Sequence, residues 1–382
     1  RKFNVHDVAD RVKRRIHSLT LPKRYTNIQF ISAGSQGVVV SADDTITQRR
    51  VAIKMIQPFQ LPLSALRAVR EFSILSTLKH PNIVENVCVF TPQKDEESFE
   101  DIYLVMELMD YNLRSGVQRL RLNHGFLSYI IYQILCGVNH LHREDIIHRD
   151  LKPTNIALNM KGAAIKLLDF GFARHFNEST EKMSSYVVTR FYRAPEVVLE
   201  QKYSKKVDVW SIGCIFAELI TGQVLFPGEN RHDQWNQIIK TMGSPSDSFV
   251  SQLRPNIVSG RNMFDAAQFV RRFSTFPKKS MGDIIPDSSF KDYDDNDPNK
   301  YRTAADARRL LEKMLKIEPN DRYTITQLLQ DPYVKRYSKE HEVNAPLSCQ
   351  MYDSQFDEKD LSLEELKSRI FQEVKSKEPS YQ

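Results

Sequence analysis

The run His148, Arg149, Asp150, Leu151, Lys152, Pro153, Thr154, Asn155, followed by Asp169, Phe170 and Gly171, constrains this chain more than any other stretch. Its aspartate stands two residues before a lysine and five before an asparagine, so one short loop offers a proton acceptor, a cation and an oxygen ligand. A second aspartate follows 19 residues after the first. Oxygen ligands in such small number suit Mg²⁺, which rests on few protein carboxylates and on the phosphates of a nucleotide. The expectation is that these carboxylates, far apart along the chain, converge around a metal-bound triphosphate in a cleft between lobes.

The pattern of apolar residues fits that demand. From Ile31 to Ile56 a glycine turn, a β-branched run, a polar gap and a second apolar run predict strands of a small antiparallel sheet. Arg67 to Leu78 lacks Gly and Pro and repeats apolar residues at Val69, Phe72, Leu75 and Leu78, which predicts an amphipathic helix. Tyr103 to Met109 reads as another strand, and from about Leu113 helices dominate. Leu127 to Leu141 is one, and Val207 to Ile220, apolar almost all round, is one sunk in a core. The polar run Asp292 to Lys300 reads as a surface loop. Near the end, Ser362 with Glu365 forms a capping box, Leu361 with Leu366 its staple, and Leu363, Leu366, Ile370 and Val374 one stripe. This tail helix is expected to pack back on the body, the other reading being a free amphipathic tail.

Gly34, Ser35, Gln36 and Gly37 let backbone amides come close to a phosphate, because glycine interposes no side chain. A plain hairpin turn is the alternative for this stretch alone. Lys54 sits in the apolar run Val51, Ala52, Ile53, Lys54, where an unpaired ammonium is costly to desolvate. Glu71 on the following helix is its expected partner.

Charge is unevenly placed. Residues 1–24 hold eight Lys or Arg against Asp7 and Asp10, which is the whole of the formal +6 and leaves 46 charges of each sign elsewhere. The stretch reads as a solvated basic arm, with a narrow helical stripe of Val5, Val8, Val12 and Ile16 as the other reading. It has no apolar signal core, and no uninterrupted apolar run approaches the ~20 residues that span a bilayer. Cys88, Cys136, Cys214 and Cys349 lack metal spacing and fit reduced thiols of the cytosol or nucleus.

The catalytic run and the Asp169-Phe170-Gly171 triplet resemble those of protein kinases. The resemblance extends further: Ser184 to Glu196 is similar to the activation segment of mitogen-activated protein kinases. Arg67 to Glu71, Met106 to Leu113, Leu225 to Gly228 and Asp233 to Trp235 look most like the c-Jun N-terminal kinase group of stress-activated kinases, and the similarity runs from about Tyr25 to Val374. It implies an α+β, bilobal kinase fold with a small β-rich N-lobe and a larger α-helical C-lobe. The implied organisation is a basic arm over 1–24, a nucleotide-binding lobe over 25–108, a catalytic lobe over 109–333 and an extension over 334–382 that packs back.

The implied activity is phosphoryl transfer from ATP, with Mg²⁺, to serine or threonine hydroxyls that precede proline. Asp150 is the implied base, Lys152 the nearby cation, Asn155 and Asp169 the metal ligands, and Lys54, held by Glu71, the phosphate contact. Ile31, Ser32, Gly34, Ser35, Gln36, Gly37, Val39, Ala52, Met106, Glu107, Met109 and Asn112 are the implied remainder of the nucleotide site. Ser184 and Tyr186 are the implied sites of dual phosphorylation, with Arg67, Arg149 and Arg174 clamping the first phosphate and Arg190 and Arg193 the second. Glu196 and Arg322 are the implied structural pair. The implied partners are protein substrates such as transcription factors, an upstream dual-specificity kinase, and phosphatases and scaffold proteins that use docking motifs. The implied chain is a monomer of cytoplasm and nucleus, without direct nucleic-acid or membrane contact.

Three departures stand out. Ser184, Ser185, Tyr186 replaces Thr-Pro-Tyr, Ser32 replaces the first glycine of the phosphate loop, and Lys335, Arg336 and Lys339 dilute Glu340 and Glu342 where the family offers an acidic docking patch. A catalytically idle kinase fold acting as a scaffold, and a DNA-binding protein using the basic arm, are the competing functional readings.

Overall fold

Strand alternation sorts the first hundred residues into two layers on either side of one sheet. The computed structural model describes residues 3–34, 37–119, 122–176, 190–258, 262–290, 303–348 and 361–379. It divides into two compact units, one of Arg1–Asp110, Asp169–Gly171 and Ser348–Gln382, the other of Tyr111–Leu168 and Phe172–Leu347.

In the first unit, β1 (Phe3–Asp10) and β2 (Arg15–Pro22) form an antiparallel hairpin. It precedes β3 (Tyr25–Gly34), β4 (Gly37–Asp44), β5 (Arg49–Ile56), helix α1 (Pro62–Thr77), β6 (Asn86–Phe90) and β7 (Ile102–Glu107). The last five strands make one antiparallel sheet in the order β3-β4-β5-β7-β6. Successive side chains of a strand point to opposite faces. Val51, Ile53, Met55, Tyr103 and Val105 therefore line one face, and Ile56, Ile102 and Leu104 the other.

The hairpin covers the first face. Val8, Leu19 and Leu21 are buried against Val38, Val40, Phe90 and Tyr103, and the Thr20 amide donates to the Tyr103 hydroxyl at 3.0 Å. Residues 3–22 are thus neither a solvated arm nor a helix. The strand period of two turns Val8 inward and leaves Val5 and Ile16 at 68% and 73% exposure, while Val12, in the turn, is 92% exposed, so the 3.6-residue stripe does not exist. The charged turn is ordered by Asp10, whose carboxylate accepts the amides of Val12 and Lys13, both at 3.0 Å.

Helix α1 and the tail helix Leu363–Lys377 cover the second face. The Ser362 hydroxyl accepts the Glu365 amide while the Glu365 carboxylate accepts the Ser362 amide, which fixes the helix start. Leu366, Ile370 and Val374 are fully buried beside Ala65, Val69 and Phe72, and Ser73 donates to Glu373 at 2.6 Å. The segment after 333 is not one extension. Residues up to Leu347 stay with the second unit, where Asn139 and Arg143 donate to the carbonyls of Val343 and Ala345, and Ser348 begins the return to the first, donating to the Thr77 carbonyl.

The second unit is built on the helices His124–Arg143 and Lys206–Thr221, both buried over most of their length. A three-stranded antiparallel sheet of Tyr111–Asn112, Ile156–Asn159 and Ala164–Leu167 carries the loop after Asp150. Gln133 of the long helix holds its turn, donating to the Ala163 carbonyl at 2.9 Å and accepting the Ile165 amide at 3.0 Å. Cys136 and Cys214 are core residues, burial pushing the Cys136 thiol up to about 12, and Cys88 is half-buried. Cys349 and the run Asp292 to Lys300 lie outside the described residues. No helix among the described residues is long and apolar enough to cross a membrane.

In urea unfolding, Leu366→Ala is expected to lower stability by roughly 2–5 kcal/mol and Val12→Ala to change it by less than about 0.5 kcal/mol. Equal effects would show that the tail helix is not part of the core.

Candidate active site

Register places the first group of side chains. Lys54 pairs across the sheet with Val39 and Leu104, and Ala52 with Ser41 and Met106, so Val39, Ala52, Lys54 and Met106 share one face. An ammonium on such a surface needs a counter-charge. Glu71, on the buried face of α1, supplies it: Lys54 Nζ donates to both carboxylate oxygens, at 2.6 and 2.7 Å. Asp169 is a second acid in the same unit. Burial alone pushes Lys54 down, but the attraction of Glu71 and then Asp169 outweighs it and holds the ammonium above its ordinary value. Glu71 is also raised, by burial first and by Asp169, against the pull of Lys54. The two directions favour different proton positions; two contacts below 3 Å on one ammonium favour the ion pair. The buried carboxylate of Glu71 and the half-buried one of Asp169 thus both act on this ammonium.

Beside the cluster, Gly37 has φ +123° and a Cβ there would lie 2.0 Å from the Met55 carbonyl oxygen, so only glycine fits. Gly34, by contrast, faces open space. A cavity of about 460 Å³ is lined by Glu71, Asp169, Gly171, Arg67, Gly34 and Gly37 together with Lys13, Arg15 and His17 of the hairpin, and not by Lys54, Val39, Ala52 or Met106.

The second group lies in the other unit, around Asp150, which is 1% exposed. Lys152 Nζ donates to Asp150 Oδ2 at 2.8 Å, and Asn155 Nδ2 donates to the same oxygen at 2.9 Å and to the Asp150 carbonyl at 3.0 Å. Because its nitrogen is turned to Asp150, the Asn155 amide presents its oxygen in the other direction, as a metal ligand requires. The Leu168 amide donates to the Asn155 carbonyl at 2.9 Å, tying the strand before Asp169 to the loop. Among the described residues no three His, Cys, Asp or Glu converge as a metal site. Mg²⁺ that rests largely on nucleotide phosphates does not need one.

The loop before Asp150 is held by a residue that motif reading missed. Arg149 has φ +69°, rare for a side chain of its size. Asp208 over-determines that turn, its carboxylate accepting the amides of His148 and Arg149, both at 2.9 Å, and bonding His142 Nε2 at 2.9 Å. The signal was present: a single aspartate inside a helix otherwise apolar almost all round is a carboxylate that must be buried and paired. Burial alone raises the Asp208 carboxyl, but His142, His148 and the Arg149 amide outweigh it and hold it below the usual carboxylate range.

The remaining candidates divide plainly. Ser32 pairs with Val39 at the exposed edge, and Ile31, at an irregularity in that pairing, is 47% exposed. Glu107 uses its amide on the Glu85 carbonyl, and Met109 follows it as a half-buried residue. Asn112 does something not anticipated, capping the helix Leu113–Val117 by accepting the Ser115 amide at 3.0 Å. Arg174 pairs with Ile147, two residues before Arg149, in a short ladder of the second unit, while Arg67 lies on α1 in the first. Arg190 donates to the Glu229 carbonyl, and the Arg193 amide to the Arg190 carbonyl. Ser35, Gln36, Ser184 and Tyr186 lie outside the described residues. Glu196 and Arg322 form a buried bidentate pair at 2.7 and 2.6 Å, and Arg322 further donates to the carbonyls of Lys316 and Ile317.

Replacing Asp208 by Asn is expected to destabilise by about 1–3 kcal/mol through lost charge-assisted bonds. A carboxyl lowered by folding stabilises above its ordinary value and loses that contribution as pH falls through the lower, folded one. The gap between wild type and Asp208→Asn, from urea titrations, should therefore be constant between about pH 5 and 8 and narrow below about pH 4. A gap that widened in acid would contradict the assignment.

Comparison with known proteins gives a consistent picture. The protein kinase domain family matches residues 25–334. A Caenorhabditis elegans protein named GLH-binding kinase 1 is 47% identical over 375 residues, 98% of this chain and 93% of its own length. The stress-activated protein kinase JNK of Drosophila melanogaster is 44% identical over 94% of this chain and 92% of its own, and that of Suberites domuncula 44% over 94% and 95%.

Proposed function

We propose, for a chain that belongs to the protein kinase family and within it to the c-Jun N-terminal kinase group of mitogen-activated protein kinases, the following specific activity. It transfers the terminal phosphoryl group of ATP, with Mg²⁺, to serine or threonine hydroxyls that precede proline. The observation that carries the reading is the complete catalytic loop of the second unit, Asp150 bonded to Lys152 and Asn155, and the Lys54–Glu71–Asp169 cluster of the first supports it.

Bound Mg·ATP supplies the phosphoryl group and the metal charge. The protein's own groups then have separable tasks. Asp150 orients the substrate hydroxyl and takes its proton; a buried carboxylate already bonded to Lys152 and Asn155 is a modest base, so positioning carries most of its effect. Lys152 offsets negative charge that develops beside Asp150. Lys54, kept charged and oriented by Glu71, engages nucleotide phosphate, while Asn155 and Asp169 offer oxygens to the metal. Met106, Glu107 and Met109 receive the adenine.

The rest of the reading is regulation. Phosphorylation of Ser184 and Tyr186 by an upstream dual-specificity kinase switches the enzyme on, each phosphate adding nearly two negative charges for the arginines named above to clamp. The substrates are proteins with Ser-Pro or Thr-Pro sites, transcription factors among them, and the enzyme works as a monomer in cytoplasm and nucleus.

Phosphate transfer from ATP to a Ser-Pro peptide by the doubly phosphorylated chain is expected to fall by roughly 10²–10⁴ in kcat for Asp150→Ala, with near-unchanged nucleotide affinity. Equal turnover by both forms would refute catalysis. Saturable Mg·ATP binding without turnover would leave an idle scaffold.

A further inference from the structure

The cations that follow Pro332 are given a definite surface by the fold. The short helix Pro332–Lys335 ends at Arg336, and the next residue, Tyr337, is fastened to the start of the long helix His124–Arg143. Its hydroxyl donates to the Gly125 carbonyl at 2.8 Å, and its ring packs on those of Tyr129 and Tyr132 with centroids 5.0 and 5.9 Å apart. Asn123 fixes the same helix start by accepting the Phe126 amide at 2.8 Å. Arg336 and Lys339, on either side of Tyr337 in the chain, are exposed.

The result is a groove of about 690 Å³, wholly within the second unit. Its lining holds the half-buried rings of Phe126, Tyr129 and Tyr337 and the side chains of Arg336 and Lys339, and it holds no carboxylate. Arg336 forms no ion pair among the described residues. Lys339 donates to Glu342 at 3.0 Å, but that acid is outside the lining and also accepts the Tyr132 hydroxyl at 2.9 Å. An ammonium carries three donors, so one bond to Glu342 does not exhaust it. Aromatic rings beside cations fit a segment that combines apolar side chains with Asp or Glu, since a guanidinium can hold a carboxylate through two parallel bonds. A basic segment would meet like charge here. A nucleic acid fits less well, because a phosphate backbone recruits a run of cations, and the exposed Glu340 follows Lys339 in the chain.

We propose that this groove docks a partner protein through a short acidic segment with an apolar anchor, the reverse in charge of what an acidic docking patch takes. The rings of Phe126, Tyr129 and Tyr337 receive the anchor, and Arg336 and Lys339 hold the carboxylates. The inference goes beyond the proposed chemistry, since docking of this kind needs neither nucleotide nor turnover.

The test is fluorescence anisotropy of the full chain with two labelled peptide pools that share an apolar centre of Leu and Phe. The flanking positions are Asp and Glu in one pool and Lys and Arg in the other. Wild type is expected to bind the acidic pool at least about tenfold more tightly than the basic one. Arg336→Glu with Lys339→Glu, both at exposed positions, is expected to exchange that order, a gain of binding that a misfolded chain would not show. Phe126→Ala is expected to weaken the acidic pool about tenfold by removing ring surface from the groove. No binding of the acidic pool, a wild type that prefers the basic pool or takes both equally, or an order unchanged by the charge reversal overturns the proposal. Single-stranded RNA that binds wild type more tightly than the acidic pool and displaces it would assign the groove to nucleic acid and overturn the partner class.

Discussion

A lysine ammonium on the apolar face of a sheet is the constraint around which the first unit is arranged. Lys54 and Ala52 are buried, with half-buried Val39 and Met106 on the same face, and the fold tolerates the ammonium only because α1 brings Glu71 to 2.6 Å. That helix must be held in place for the pair to exist. Its apolar side is packed with Ile102 and Leu104 of the sheet and with the tail helix through Leu366, Ile370 and Val374. The end of the chain thus supports a charge pair whose members lie three hundred residues earlier. An ion pair of this kind adds little to stability, since desolvation offsets the attraction. Its value is orientation, because loss of either partner strands a buried charge.

The second unit solves a different problem with similar means. Arg149 must adopt a left-handed backbone for Asp150 to sit where Lys152 and Asn155 can bond it, and such a conformation persists only when its surroundings over-determine it. Asp208 does so with two backbone amides and His142. Lys54, Glu71 and Asp208 are all buried, so solvent ions screen these interactions little.

Much of this was legible in the sequence because the chemistry demands residue types at short spacing. Asp150, Lys152 and Asn155 lie within six positions, and a loop that short cannot hide their relation. The capping box at Ser362 and the stripe from Leu363 to Val374 were similarly local signals. What escaped notice was non-local or context-dependent. Asp208 meets His148 across sixty residues, and only its burial inside an apolar helix betrays it. The basic N-terminal stretch misled for a related reason: with charge at the turn and alternating residues along both strands, its few inward side chains are too sparse to announce a hairpin. Asn112 was assigned to the nucleotide site by resemblance, and its local chemistry as a helix cap went unread.

In the proposed reaction Asp169, the half-buried acid beside the Lys54–Glu71 pair, would give an oxygen to the divalent ion that arrives with nucleotide. Electron paramagnetic resonance with Mn²⁺ in place of Mg²⁺ measures that directly, since the free-ion signal is lost on binding. The account predicts that ATP promotes loss of the signal with wild type and that Asp169→Asn weakens this binding by about tenfold or more. Equal ATP-dependent Mn²⁺ binding by wild type and Asp169→Asn would contradict it.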